Sequence, residues 1–115
     1  TMAIILTYDE GGGFFDHVPP PPACVPSDDA ANAAFNRLGV RLPLAVISPY
    51  ARPGYVSHVP QEITSITRFI ELVYGLPALT HRDANATALL DLFDFTTPAL
   101  RTPPAAPAAG TGGCQ

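Results

Sequence analysis

The sequence predicts an α/β fold, and three observations carry that prediction. Two short runs, Ala3-Ile4-Ile5-Leu6-Thr7-Tyr8 and Leu44-Ala45-Val46-Ile47-Ser48, are almost continuously apolar. Such runs fit strands buried on both faces, as in a parallel sheet. Downstream, Ile66, Phe69, Ile70 and Val73 fall at i, i+3, i+4 and i+7, one apolar stripe of a helix. Strands, long loops and then helices make an α/β layer, with too few pieces for a complete doubly wound sheet.

The elements follow in order. The first strand ends in the carboxylates Asp9 and Glu10, and the chain then changes character. Gly11, Gly12 and Gly13 permit unusual backbone angles, and the run Pro19 to Pro22 stiffens the exit into an extended path. Residues 26–39 are polar and alanine-rich, which reads as loop with one short helical turn. Pro49 stops the second strand, and Arg52-Pro53-Gly54 marks a turn within the loop 51–60. Thr64 or Ser65 caps the start of the helix, and Gly75-Leu76-Pro77 stops it. Asp83 is placed to cap a second, shorter helix running through Leu89, Leu90 and Phe93, with Phe95 closing a final short strand or loop. From residue 98 the chain is Pro, Ala, Gly and Thr, the composition of a flexible tail. The expected organisation is therefore one domain, 1–97, and a tail, 98–115.

Composition bounds the function. With 47% apolar residues, the 115-residue chain can bury a real core. Ten acidic residues face six basic ones, for a net charge of -4. The basic residues are all arginine (Arg37, Arg41, Arg52, Arg68, Arg82, Arg101) and are scattered, which argues against a nucleic-acid partner. No apolar run approaches membrane-spanning length, and no signal peptide is visible. The chain opens directly into a strand-like run, which suggests a piece of a longer protein. Cys24 and Cys114 lie far apart and have no metal-ligand spacing.

Asp9-Glu10 is the first constellation with chemistry in it. Adjacent carboxylates at the carboxyl end of a strand lie where open α/β sheets bind ligands. A hard divalent cation relieves their mutual repulsion and favours oxygen donors. The plain alternative is a solvated acidic loop. Gly11 to Gly13 could cradle a phosphate on backbone N–H groups, or simply let the backbone pass close beneath a site. Asp16-His17 offers a ligand or general acid with a carboxylate beside it, or a histidine that holds the Phe14-Phe15 loop in place. His58, with Glu62 four residues on, and His81, beside Arg82 and Asp83, read as loop or surface residues.

The run Thr7-Tyr8-Asp9-Glu10-Gly11-Gly12-Gly13-Phe14-Phe15-Asp16-His17-Val18-Pro19-Pro20 resembles the signature of the bacterial phosphoesterase family. That family holds non-haemolytic phospholipases C and an acid phosphatase, within the alkaline phosphatase superfamily. Further segments agree in order: Gly39-Val40-Arg41-Leu42-Pro43, Val46-Ile47-Ser48-Pro49-Tyr50-Ala51-Arg52, Ser65-Ile66-Thr67-Arg68-Phe69-Ile70-Glu71, Gly75-Leu76-Pro77 and Arg82-Asp83-Ala84. The resemblance covers roughly positions 1 to 96. It implies the C-terminal part of a three-layer sandwich with a mainly parallel sheet. The implied activity is metal-dependent hydrolysis of a phosphoester, phospholipids included, by a secreted or periplasmic enzyme. In the family a Ser or Thr nucleophile, an early Glu-Asn pair and a late acidic pair hold the metal. Only the late pair maps here, onto Asp9 and Glu10, with Asp16, His17, Gly11 and Gly12 in support. No catalytic residue maps onto this chain. The nucleophile is expected upstream of Thr1, so the chain alone is expected to be inactive. Two other readings stand beside this one: a non-catalytic relic or interaction module, and another hydrolase of the superfamily such as a sulfatase.

Overall fold

The computed structural model describes residues 2–97, together with residues 102 and 105. The expected tail, 98–115, and Cys114 otherwise lie outside the described residues. Strand β1, Ile4–Thr7, and strand β2, Leu44–Ile47, form a two-stranded sheet. The pairing is antiparallel, with Ile4 opposite Ile47 and Thr7 opposite Leu44. The fold is thus α/β as expected, but no parallel neighbour flanks β1 among the described residues. The segment between the strands contains one 3-10 helix, Ala30–Phe35, and no crossover helix of the kind that joins parallel strands. The expectation of a strand buried on both faces fails for the same reason. With one partner strand, side chains alternate between half-buried and exposed, and Ile4, Leu6 and Ile47 are 46%, 63% and 59% exposed.

Helix α1 spans Thr64–Tyr74. Gly75 ends it at φ 64°, a left-handed angle, and its N–H and that of Leu76 both bond the Glu71 carbonyl. The expected N-cap is corrected. Ser65 lies inside the helix, and its Oγ accepts the Glu62 amide at 3.0 Å, which folds the entering chain back on the first turn. The apolar stripe is only partly a core face. Phe69 stacks on Phe93 with centroids 4.9 Å apart, but Ile70 and Val73 are 44% and 55% exposed. The face that meets its neighbours is more polar and includes buried Ser65 and Glu71. Among the described residues too few elements surround α1 to cover the whole stripe.

Helix α2, His81–Asn85, is shorter than expected. Thr80 is its N-cap and accepts the Asp83 amide, while Asp83 accepts the Thr80 hydroxyl and, at 2.8 Å, the Leu79 amide. This is a variant of the capping box, with the Leu79 amide in place of the N-cap amide, so Asp83 is a buried third residue of the helix and not its cap. The chain turns extended at Ala86 and forms a separate 3-10 helix, Leu89–Leu92. Leu89 (0% exposed) and Phe93 (3%) are the buried apolar residues. Phe93 is stacked between Phe69 and Phe95, the latter 5.3 Å away. The strand-like contact expected near Phe95 falls at Phe93, which bridges Ala51.

Arginines tie these parts together. Arg82 donates to Glu62 at 2.8 Å and to the carbonyls of Phe35 and Arg37 at 3.2 and 3.1 Å. Arg52 donates to the Phe93 carbonyl at 3.2 Å. Among the described residues no helix is long and apolar enough to cross a membrane.

Candidate functional site

β1 delivers the chain through Tyr8 into Asp9 and Glu10. Both carboxylates are exposed, and among the described residues neither has a hydrogen-bond or ion-pair partner. Both line an open recess of about 800 Å³ that also takes in Asp16, His17 and Arg41. They border a second cleft of about 670 Å³, which reaches Glu62, Thr64 and Arg82. The structure therefore brings Asp9, Glu10, Gly11, Gly12, Asp16 and His17 together around one concavity. His58 and His81 do not line it.

The glycine-rich segment is a tight turn. The Phe14 amide bonds the Gly11 carbonyl at 3.0 Å, and Gly12 and Gly13 sit at φ 59° and 75°, angles at which a side chain is strained. Gly11 has a different reason to be glycine. A Cβ there would lie 2.2 Å from Cγ2 of Val40. At Gly11, then, the requirement is room for the Val40 side chain.

Asp16 is fully engaged. Its Oδ2 accepts the backbone amide and Nε of Arg41 at 3.0 and 2.9 Å; its Oδ1 accepts Nη2 of Arg41 at 2.8 Å and the Val18 amide at 3.0 Å. The Arg41 side chain, followed by its amide and that of Val18, holds the carboxyl well below the usual carboxylate range. Asp16 does not orient the His17 ring, since Nδ1 is 3.8 Å from Oδ1 and the imidazole is 82% exposed.

This donor set bears on a metal. A hard cation takes six or more oxygens. Asp9 and Glu10 present free carboxylates, Asp16 is committed to Arg41, and no group of three potential ligands occurs among the described residues. The pair offers the oxygen donors such a cation favours, but two carboxylates fall well short of its coordination number.

Arg41, Glu71 and Asp91 make contacts that no local sequence signal marks, and of these only Arg41 lines the recess. Arg41 was one of six scattered arginines, and nothing local links it to Asp16. Glu71 is 3% exposed and pairs with Arg68 at 3.4 Å. Asp91 gathers the loop before α1, accepting from Ser57 at 2.5 Å and Gln61 at 3.2 Å. The Thr80-x-x-Asp83 box alone had a readable signal, a hydroxyl and a carboxylate three residues apart.

The chain matches the model of the Phosphoesterase family over residues 1–77. It is 53% identical over 98 residues to non-specific phospholipase C4 of Arabidopsis thaliana, covering 72% of this chain and 18% of that protein. Against non-specific phospholipase C1 of the same plant the identity is 40% over 99 residues, covering 72% and 19%. Against phospholipase C B of Mycobacterium tuberculosis it is 34% over 113 residues, covering 84% and 22%. The chain thus spans about a fifth of the length of these relatives. The match includes the β1 strand, the Asp9-Glu10 pair, the glycine turn, the Asp16–Arg41 contact and all of α1, and on that footing the chain belongs to the Phosphoesterase family.

Proposed function

We propose that this chain is the C-terminal part of a phosphoester hydrolase of the phospholipase C type, and that Asp9 and Glu10 are two ligands of its divalent cation. The observation that carries the proposal is the adjacent, unpartnered carboxylate pair at the end of β1, beside the family's glycine turn. Such a cation, when bound, polarises a phosphoryl oxygen and offsets charge in the transition state. Asp9 and Glu10 are then ligands rather than acids or bases. Gly11 and Gly12 carry the backbone under the site, Asp16 anchors the loop, and exposed His17 is free to face a phosphoryl group. The relatives' names support phospholipid as the substrate class. In the larger protein β1 belongs to a mainly parallel sheet of a three-layer sandwich, which covers the open face of Ile4 and Leu6. Secretion or periplasmic location belongs to the same reading.

A nucleophile and the remaining oxygen ligands come from outside these 115 residues. The chain alone is therefore inactive, since phosphoryl transfer needs an attacking group, a cation and donors to the phosphoryl oxygens.

The test is a graft. Residues 1–97 replace the matched segment of the Arabidopsis non-specific phospholipase C4, and hydrolysis of phosphatidylcholine vesicles is followed across a Mn²⁺ titration. The graft is expected to be active, and Asp9→Asn to need more metal for half-maximal rate, because a neutral amide is a poorer ligand. A folded but inactive graft would overturn the phosphoesterase reading. An Asp9→Asn variant matching its parent at limiting metal would remove the ligand assignment. The ungrafted chain is assayed alongside and should show no metal-dependent turnover.

A further inference from the structure

We propose that Arg41 is the positioning residue of the candidate site: its guanidinium grips Asp16 and so fixes the loop that carries Asp9, Glu10 and His17. The segment leading into β2 runs beside the end of β1 and the loop that follows, and three of the contacts between them lie beside the recess. Thr7 Oγ1 donates to the Pro43 carbonyl at 2.9 Å, where the sheet ends. Gly11 packs on Val40 so closely that no Cβ fits between them. Arg41 takes both oxygens of Asp16 with its side chain and adds its own backbone amide. Residues 40 and 41 thus hold the near and far ends of the glycine turn, and the internal bond from Phe14 to Gly11 closes what lies between.

An ordinary surface ion pair would not carry this claim, because exposed pairs contribute little. This one differs in geometry. The carboxylate side is only 10% exposed although Arg41 is 63% exposed, and the contact is a two-pronged fork reinforced by two main-chain donors. Four donors satisfy Asp16, which leaves Asp9 and Glu10 as the unengaged carboxylates of the recess. The latch itself stands on this geometry. Its importance for Asp9 and Glu10 rests on their proposed role as ligands.

The decisive measurement is amide hydrogen exchange, by NMR, in the full 115-residue chain. Arg41→Ala should speed exchange roughly tenfold at Phe14 and Val18 while leaving amides of α1 unchanged. Arg41→Lys should fall between, since an ammonium cannot present the fork. Adding Asp16→Asn to Arg41→Ala should bring no further acceleration. Arg37→Ala, which removes a bond to the Pro20 carbonyl, is the control and should not open the loop. The proposal is overturned by unchanged loop exchange in Arg41→Ala, by equal acceleration in the loop and α1, or by full recovery in Arg41→Lys. In the graft, Arg41→Ala should also raise the Mn²⁺ concentration for half-saturation, read by electron paramagnetic resonance. Open loop exchange with unchanged Mn²⁺ half-saturation would refute positioning. Failure of the unmutated graft to bind Mn²⁺ would refute the ligand reading instead, and the exchange pattern would still decide the latch.

Discussion

Phe93→Ala is expected to be the most damaging single truncation of an aromatic ring in the chain. Phe93 is 3% exposed and lies between two other rings, 4.9 Å from Phe69 and 5.3 Å from Phe95. A phenylalanine buries on the order of 150–250 Å². At about 25 cal/mol per Å² that is about 4–6 kcal/mol of transfer free energy, part of which an alanine methyl retains. Large-to-small changes of this kind cost about 3–5 kcal/mol, a large fraction of the stability of an ordinary domain. Phe69 is only half-buried and reaches one of these rings, so Phe69→Ala should cost about half as much. The assay is urea unfolding followed by far-UV circular dichroism, since the chain has no tryptophan. The double variant adds a sharper check. With the stack already lost, Phe69→Ala should cost about 1 kcal/mol less than it does in the parent. Equal midpoints for the two single variants, or strict additivity in the double, would refute a core centred on Phe93.

Two further perturbations follow from the second half of the chain. Burial pushes the Asp83 carboxyl up, but hydrogen bonds, chiefly from the Thr80 hydroxyl and the Leu79 amide, more than offset this and hold it at about 2, below its ordinary 3.8. A folded value below the unfolded one means that Asp83 stabilises fully above about pH 4 and loses this contribution as pH falls towards 2. Asp83→Asn should therefore flatten the pH dependence of stability across that window, measured by urea midpoints at a series of pH values; an unchanged slope would remove the assignment. Gly75→Ala places a side chain at φ 64° and should cost about 1–2 kcal/mol, visible as a lower thermal midpoint, whereas an unchanged midpoint would mean that the helix ends some other way.

What was legible in the sequence was what is local. The runs around Ile4–Thr7 and Leu44–Ile47 became strands because unbroken apolar stretches bounded by turn formers have few other outcomes. Gly75 ended α1 because no side chain tolerates its angle well. The Asp9-Glu10 pair, the glycine turn and Asp16-His17 were legible as a group because they are contiguous. Direction and partnership were not. A run of apolar residues does not say whether its neighbour is parallel, and the pairing of β1 with β2 is antiparallel. A periodic stripe marks one side of a helix but not which part of it meets a neighbour, so Ile70 and Val73 lie open while Glu71 is buried. The bond from Arg41 to Asp16 joins residues 25 apart in sequence, and no spacing rule reaches that far.

The arginine ties also set an order in time. They close separations of 25 residues at Asp16–Arg41, 41 at Arg52–Phe93 and 47 at Phe35–Arg82. A folding chain loses loop entropy before such contacts reward it, whereas the turns of α1 and the capping box of α2 form from near neighbours. The helices should therefore assemble early and the contacts of residues 40–43 with the end of β1 and its loop later. Contacts made last are commonly among those that open first in the native state, on the sub-global scale that exchange detects. The loop bearing Asp9 and Glu10, tied across the shortest of these three spans, should close after the helices but before the ties at Arg52 and Arg82, with Arg41 setting how often it lets go.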